Sequence, residues 1–182
     1  DGMGGHAAGE VASALAADAS LEVLTANAWA DSQHLREAFS LAHSRIVDCC
    51  NEDRRVAGMG TTLTAAILQD DGRAHIGHIG DSRIYQLSGG SLRQLTRDHT
   101  WVQREIDAGR VAPDAARSHP FSHILTRVLS ADEPPTPDVF SASVAPGDVL
   151  LLCSDGLHNM LDGHDIMTIL LEQTAAEEMV QN

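Results

Sequence analysis

The sequence contains no lysine, because all 12 of its basic side chains are arginine. Reactions that need a lysine amine are therefore excluded, including those of Walker A phosphate loops, protein kinases, Schiff-base enzymes and Ser-x-x-Lys acylases. Positive charge is scarce in general, since 26 acidic residues give a formal net charge of −14. Nucleic acids and anionic lipids are bound by basic patches, so this balance argues against either as a partner.

Cysteines and long apolar runs are also few. The three cysteines, Cys49, Cys50 and Cys153, form no C-x-x-C pair, which argues against a disulfide framework or a zinc ribbon and fits a reducing compartment. No run reaches the roughly 18 apolar residues of a membrane helix, and the N-terminus lacks a signal-peptide pattern, so we predict a cytoplasmic location. The length of 182 residues predicts one domain. We expect a partial chain, since it starts on Asp1 without Met and ends within an apparent helix.

Two helices are predicted in the first third of the chain. Residues 7–30 are rich in alanine and indicate a helix that is interrupted near residues 18–20. A second helix is expected to begin after an Asp31-Ser32 N-cap and to end near Glu52, because apolar residues recur there at spacings of three and four. We predict that the two helices pack together.

From Gly60 onward the pattern changes to short strands. They are expected over residues 61–68, 74–79, 83–87, 91–95, 139–144 and 149–153, with turns at 70–72 and 89–90. The first four strands have connections too short for parallel crossovers, so they predict an antiparallel meander. The last strand is apolar throughout and predicts a central, buried position. Helices are expected over 163–172 and 174–182, and the order of elements favours a layered α+β domain.

Three aspartates stand beside glycines, in Asp1-Gly2, Gly80-Asp81 and Asp155-Gly156, and two of them follow an apolar strand. A glycine lets the backbone turn sharply enough to offer a carbonyl oxygen to the same ligand as the neighbouring carboxylate. Such oxygen ligands suit Mg²⁺ or Mn²⁺. Asp-Gly is equally typical of an ordinary turn, and the spacing alone leaves both interpretations open.

Other motifs are weaker. Residues 2–7 match the G-x-G-x-x-A dinucleotide fingerprint, but the strand that should follow its helix is not expected here. Ser154 and His158 suggest a serine hydrolase, but the segment lacks the first glycine of G-x-S-x-G. His75 and His78 lie on opposite faces of a predicted strand, which argues against a shared metal. A nucleotide-binding oxidoreductase and a serine hydrolase therefore remain minor alternatives.

Five motifs, in order along the chain, resemble those of bacterial metal-dependent Ser/Thr protein phosphatases of the PPM (PP2C-type) family. They are Asp1-Gly2-Met3-Gly4-Gly5-His6, Gly58-Met59-Gly60-Thr61-Thr62-Leu63, His78-Ile79-Gly80-Asp81-Ser82-Arg83, Leu95-Thr96-Arg97-Asp98-His99-Thr100 and Leu151-Leu152-Cys153-Ser154-Asp155-Gly156-Leu157. The resemblance implies an α+β fold in which a sandwich of two antiparallel β-sheets is flanked by helices. It implies a single domain over residues 1–182, incomplete at both termini, with residues 97–125 as a flap-like insertion.

The resemblance also implies a metal site. Asp1 resembles the aspartate that bridges two core Mn²⁺ or Mg²⁺ ions, and the Gly2 carbonyl resembles the backbone ligand. Asp155 resembles the second-metal aspartate, and Asp81 resembles the ligand of a third, looser ion to which the Asp155 position also contributes. A water bridging the core ions would become a hydroxide that attacks phosphorus in line, without a phosphoenzyme. Met3 stands where many eukaryotic members place a histidine, so no general acid is assigned.

The implied function is hydrolysis of phosphoserine and phosphothreonine in proteins, opposing a bacterial Ser/Thr kinase. The implied partners are therefore phosphorylated proteins and that kinase. A second hypothesis is a catalytically silent regulatory module, because a fold alone does not guarantee activity. Catalysis is favoured because every metal-site aspartate that falls within residues 1–182 is present. The family's upstream arginine and acidic motif, and its downstream Asp-Asn motif, would lie outside this span.

Overall fold

The computed structural model describes residues 1–3, 6–27 and 29–172, except for the side chains of His6 and Ala7. In this part of the chain the helices are α1 (His6–Thr25), α2 (Ser32–Glu52), α3 (Trp101–Asp107), α4 (Asp155–His158) and α5 (Gly163–Glu172). The strands are β1 (Gly2–Met3), β2 (Gly60–Thr61), β3 (Leu63–Leu68), β4 (Arg73–Ile79), β5 (Arg83–Ser88), β6 (Ser91–Gln94), β7 (Leu129–Ser130), β8 (Asp138–Ser143) and β9 (Val149–Cys153). None of the described helices is both long and apolar enough to cross a membrane. The predicted helix over 174–182 lies outside the described residues.

The strands form three small antiparallel sheets with the orders β1-β2-β7, β3-β4-β8 and β6-β5-β9. The first two sheets are continuous through β2 and β3, which only Thr62 separates, and both contact α1 and α2. The third sheet forms the second layer and carries α5 on its outer face. The described chain is therefore an α+β sandwich of antiparallel sheets flanked by helices, as the resemblance implied.

The predicted four-strand meander is wrong. β3 pairs with β4 and β5 pairs with β6, but β4 and β5 lie in different sheets. Both edges of β4 are occupied, by β3 and β8, so β5 does not pair with β4 and pairs instead with β6 and β9. Residues 80–82, which we call the crossover, therefore carry the chain from one layer of the sandwich to the other.

α1 is a single helix, so the predicted interruption near residues 18–20 is wrong. Ala16 and Ala19 are buried and belong to the core that α1 shares with α2. The Ser20 hydroxyl donates to the Ala16 carbonyl at 2.8 Å, which satisfies this polar side chain inside the helix. A serine that bonds back to the preceding turn does not end a helix, and this explains why the Asp18-Ala19-Ser20 pattern is not a break.

α2 begins and ends close to its predicted bounds. The Asp31 carboxylate accepts hydrogen bonds from two backbone N–H groups of the first turn, so Asp31 is the N-cap. The helix buries its predicted apolar stripe, from Leu35 to Ile46, and packs against α1 as expected. Phe39 in this stripe lies over Gly77 of β4, where a Cβ atom would come within 2.7 Å of the ring. Gly77 thus gives the helix its close approach to the sheet.

β9 has the predicted span but not the predicted burial. In the described residues it pairs only with β5, so it lies at an edge of its sheet, and Leu152 is 46% exposed. Its other face is covered, since Leu151 and Cys153 pack with Tyr85 and with α5. A continuous apolar run predicts burial on both faces, and here one face is covered.

Candidate metal centre

Asp81 and Asp155 both lie just beyond the end of the β5–β9 ladder and line the same cleft. The last backbone pair of this ladder joins Arg83 to Cys153, and each aspartate lies two residues beyond that pair. Antiparallel strands place residues with equal offsets opposite one another, so the ladder brings the two aspartates to one edge of the sandwich. Asp81 lies in the crossover, and Asp155 is the first residue of α4.

The crossover depends on Gly80. This residue has a φ of +106°, a backbone angle that residues other than glycine rarely adopt. A Cβ atom there would come within 2.4 Å of Thr62 Cγ2. The hydroxyl oxygens of Thr62 and Ser82 are 2.8 Å apart, and the Thr64 hydroxyl lies 3.1 Å from the Ser82 carbonyl oxygen. The two residues that flank Asp81 are therefore held against the β2–β3 segment.

A buried histidine fixes the backbone of Gly80. The Gly80 N–H donates to His99 Nδ1 at 3.1 Å, and the His99 N–H donates to the Gly80 carbonyl at 2.8 Å. Because Nδ1 accepts, the ring proton lies on Nε2, which donates to Asp138 Oδ2 at 3.2 Å. Arg127 donates to the other oxygen of Asp138 at 2.7 Å. Burial lowers the pKa of His99, although the hydrogen bond to Asp138 acts to raise it, so the ring is neutral at pH 7.

His158 of α4 and Asn159, the C-cap of this helix, each form a hydrogen bond to one of the two aspartates. The Asn159 side chain donates to Asp155 Oδ2 at 3.2 Å, and His158 Nε2 donates to the Asp81 carbonyl oxygen at 3.1 Å. A nucleophilic serine and its base must lie within hydrogen-bond reach. In the described part of the chain no hydrogen bond joins His158 to Ser154, so the geometry does not support the serine hydrolase alternative.

Asp81 and Asp155, which we call the acidic pair, lie close together in surroundings that disfavour the charge of Asp81. Burial first, and then the charges of Asp155 and Asp98, raise the pKa of Asp81 to about 6. The charges of Asp81 and Asp155 also act at the backbone nitrogen of Asp1. Asp1 therefore lies within the same negative field, which would favour a cation.

Asp1 and Gly2 are held by the backbone contacts of β1. The Asp1 carbonyl accepts from the Thr62 N–H and from the Thr61 hydroxyl, both at 2.9 Å. Gly2 lies against Gly9 of α1, where a Cβ atom on Gly2 would come within 1.9 Å of the Gly9 carbonyl oxygen. No side chain fits between these backbones. β1 thus brings Asp1 to the same threonine that supports the crossover.

These donors suit Mg²⁺ or Mn²⁺, since Mg²⁺ in particular is often bound through one or two carboxylates with water in other positions. Asp81 and Asp155 lie together, and Asp1 lies near their charges. Within residues 1–3, 6–27 and 29–172, no group of three or more His, Cys, Asp or Glu side chains is arranged to hold an ion. The structure therefore supports a cation shared by the acidic pair most directly. The full ligand set of Asp1, Gly2, Asp81 and Asp155 stays a prediction.

A cleft of about 290 Å³ opens beside the acidic pair. Asp81, Asp155 and His158 line it, together with residues of the 97–125 segment, namely Asp98, Thr100, Val102, Gln103, Pro113, Ala116, Arg117, Ser122 and His123. In the wall of the cleft, Arg83 Nε and Nη2 donate to the two carboxylate oxygens of Asp98 at 2.9 and 2.6 Å. The charge of Arg83 is therefore paired, and the acidic pair is reached through a polar opening.

The sequence patterns indicate the aspartates but not the groups that hold them. Nothing singles out Asp138, and His99 belongs to a motif without a role of its own. His158 suggests only a hydrolase base. The contacts of His99 with Asp138 and of His158 with Asp81 join positions 39 and 77 residues apart, so no local pattern reveals them.

The chain matches the family model described as Protein phosphatase 2C over residues 1–181. It is 40% identical to the serine/threonine protein phosphatase PstP of Mycobacterium tuberculosis, over 97% of this chain and 34% of that protein. It is 36% identical to the serine/threonine phosphatase Stp of Listeria welshimeri, over 98% of this chain and 72% of that protein. The chain thus spans about a third of the length of the mycobacterial relative.

Solved structures show the same likeness. The crystal structure of M. tuberculosis PstP/Ppp has a TM-score of 0.91 to this chain at 38% identity, covering 100% of this chain and 78% of that chain. The catalytic domain of PstP in complex with two manganese ions has a TM-score of 0.89 at 37% identity, covering 100% of this chain and 76% of that chain. The family match and these likenesses agree with the fold and with the acidic pair at its edge: the chain belongs to the protein phosphatase 2C family.

Proposed function

We propose that this protein is a metal-dependent phosphatase that hydrolyses phosphoserine and phosphothreonine in proteins. The observation that carries the proposal is the acidic pair, in which Asp81 and Asp155 each lie two residues beyond the last pair of the β5–β9 ladder and line one open cleft. The family match and the phosphatase names of the relatives support the same activity.

Asp81 and Asp155 would hold a divalent cation, and Asp1 with the Gly2 carbonyl would complete a site for two core ions and a third, looser one. Mn²⁺ or Mg²⁺ is the expected metal, and the two manganese ions in the PstP catalytic domain support this choice. When bound, such ions supply an activated water and offset the charge of a phosphate ester. The chain offers no lysine nucleophile, which is consistent with attack by water.

The residues around the acidic pair would orient it and keep its position fixed. His99 holds Gly80 on one side of Asp81, and Asn159 donates to the carboxylate of Asp155. Arg83 is committed to Asp98, so it would support the wall of the cleft instead of binding phosphate. No side chain in the described part of the chain is assigned as the general acid.

We propose that residues 97–125 act as a flap beside the cleft. The ends of this segment are joined, since Thr100 and Leu125 form a β-bridge, and residues between them line the cleft. Arg117 connects the segment to α4 by donating to the Asn159 carbonyl at 2.7 Å. Movement of the segment would alter access to the acidic pair.

The substrates would be phosphorylated proteins, and the enzyme would oppose a bacterial Ser/Thr kinase. A cytoplasmic location is proposed because Cys49, Cys50 and Cys153 are free thiols, as in a reducing compartment. The catalytically silent alternative gains no support, since the acidic side chains that a cation would need at the ladder end are present.

Phosphate release from a phosphothreonine peptide tests the proposed function. We expect the purified protein to release phosphate in the presence of Mn²⁺, and this release should stop when EDTA is in excess. The reason is that a cation bound by the acidic pair would be needed to activate water. Renewed addition of Mn²⁺ should restore the rate, and the unphosphorylated peptide serves as the blank. No release at any Mn²⁺ concentration, or equal release in EDTA, would contradict the proposal.

A further inference from the structure

We infer that His158 is a positioning residue that fixes the separation of Asp81 and Asp155 and thereby sets how tightly this pair binds a divalent cation. The inference rests on the proposed function, because it takes the acidic pair to be a cation site. It concerns a residue to which the family resemblance assigns no role.

His158 links the two halves of the acidic pair. It is the last residue of the short helix α4, and Asp155 is the first. The residue is buried, with 8% of its surface exposed, and its Nε2 atom lies 3.1 Å from the main-chain carbonyl oxygen of Asp81. A carbonyl oxygen only accepts, so Nε2 carries the proton and donates it. One side chain therefore ties the helix that begins with Asp155 to the backbone of Asp81.

The hydrogen bond from His158 lies beyond the point where the β5–β9 ladder joins the two segments, the crossover and α4. The β5–β9 ladder ends at the pair of Arg83 and Cys153, after which one chain turns into α4 and the other enters the crossover. Beyond that point the described hydrogen bonds between the crossover and α4 reduce to the one from His158. The spacing of the two aspartates thus depends on this bond.

The other supports of the crossover come from elsewhere in the fold. His99 bonds to Gly80, and Thr62 bonds to Ser82, so both neighbours of Asp81 are fixed to parts of the chain outside α4. These contacts fix the crossover without fixing its distance from Asp155. His158 supplies that remaining restraint.

The restraint matters because the two carboxylates repel each other. Two negative charges at close range favour separation, and a cation binds best when its ligands are already held at the required distance. Without His158, α4 would lose its hydrogen bond to the crossover and could move away from it, and the cation would have to draw Asp155 back. Loss of the bond should therefore weaken cation binding before it affects the fold.

Two substitutions separate the hydrogen bond from the space that the ring fills. His158→Leu keeps the bulk and removes the donor, whereas His158→Gln places an amide N–H near the position of Nε2–H. His164→Ala is the control, because this exposed histidine of α5 lies outside the cleft. If the Leu variant does not fold, His158→Asn replaces it, since its amide is too short to reach the carbonyl.

Calorimetric titration of Mn²⁺ into each metal-free protein, without substrate, is the primary measurement. We expect His158→Leu to raise the Kd of the weakest Mn²⁺ site by about tenfold, the lower end of the usual cost of losing an outer-shell partner. His158→Gln should recover most of that affinity, and His164→Ala should bind like the wild type. The unfolding midpoint of each metal-free protein shows whether a loss of affinity reflects a loss of folding.

Wild-type affinity in folded His158→Leu, or an equal loss in the Leu and Gln variants, would overturn the inference. The proposed function is judged separately, by phosphate release from a phosphothreonine peptide with the wild-type protein. A wild type that binds Mn²⁺ but releases no phosphate would contradict the function, while the binding data would still decide the role of His158.

Discussion

Gly77 and Gly80 lie three residues apart, but their surroundings differ. Gly77 lies in β4 beneath the ring of Phe39, where the contact is one of apolar shape. Gly80 lies in the crossover, where its φ of +106° and the nearby Thr62 demand glycine and where His99 holds its backbone. We call the face of the sandwich that α1 and α2 cover the helical side, and the edge that carries residues 80–82 and the acidic pair the cleft edge. The helical side is thus held by packing, whereas the cleft edge is fixed by backbone conformation and hydrogen bonds.

Several buried polar side chains lie around the crossover. His78, His99, Thr62 and Ser82 are all buried there. Among the described residues, no buried side-chain nitrogen or oxygen lacks a hydrogen-bond partner. A satisfied polar network fixes geometry, but each member that loses its partner is costly. The cleft edge is therefore expected to be less tolerant of substitution than the helical side.

The largest expected effect comes from exchanging the two glycines for alanine. Gly80→Ala should lower the free energy of unfolding by about 3 kcal/mol, because it combines a disfavoured φ with a clash against Thr62. Gly77→Ala should cost about 1 kcal/mol, since the ring of Phe39 can shift. Urea unfolding of both variants without metal measures these differences.

Mn²⁺ titration of the same pair sharpens the comparison. We expect weaker Mn²⁺ binding in Gly80→Ala, because the substitution moves the neighbouring Asp81, and unchanged binding in Gly77→Ala. Equal losses of stability and of Mn²⁺ affinity in the two variants would mean that the helical side and the cleft edge do not differ in this way.

A smaller effect is expected from pH. The ring of His78 is fully buried, its Nε2 lies 3.0 Å from the Arg97 carbonyl, and burial followed by the charge of His99 lowers its pKa to about 4. The charges of Asp98 and Asp138 act to raise this pKa but do not offset the burial.

The direction in which stability changes with pH follows from the unfolded state, where a histidine has a pKa of about 6.5. Between that value and about 4 the unfolded chain binds more protons, so the contribution of His78 is complete above pH 6.5 and is lost as the pH falls toward 4. Between pH 7.5 and 5 this amounts to about 2 kcal/mol. Urea midpoints at these two pH values should differ less for His78→Gln than for the wild type, and an unchanged difference would contradict the assignment.

Local patterns were enough to predict most elements of the fold. The apolar stripe and the Asp31 cap define α2, and the turns at 70–72 and 89–90 define two hairpins. The same patterns could not show which strands share a sheet, because period-two alternation says nothing about the partner. The prediction of a four-strand meander was wrong for this reason. The predicted burial of β9 was wrong because an apolar run does not show how many faces of the strand are covered.

The candidate site was predictable to a lesser degree. Asp81 and Asp155 are visible as aspartates beside glycines after apolar strands, and the resemblance named them together with Asp1 and Gly2. Their pairing follows from the β5–β9 register, which depends on contacts between distant segments. The contact of His158 could not be predicted for the same reason, since its hydrogen bond to Asp81 joins residues 77 positions apart and has no sequence signature.

Phosphate release by Asp155→Asn at saturating Mn²⁺ tests the central claim, that the acidic pair at the ladder end is the catalytic metal centre. Asp18→Asn, an exposed carboxylate on α1, is the matched control. We expect Asp155→Asn to lose more than about 100-fold in rate, because even outer-shell changes cost about 10–100-fold, while Asp18→Asn keeps the wild-type rate. An Asp155→Asn protein that releases phosphate as fast as Asp18→Asn would contradict the claim.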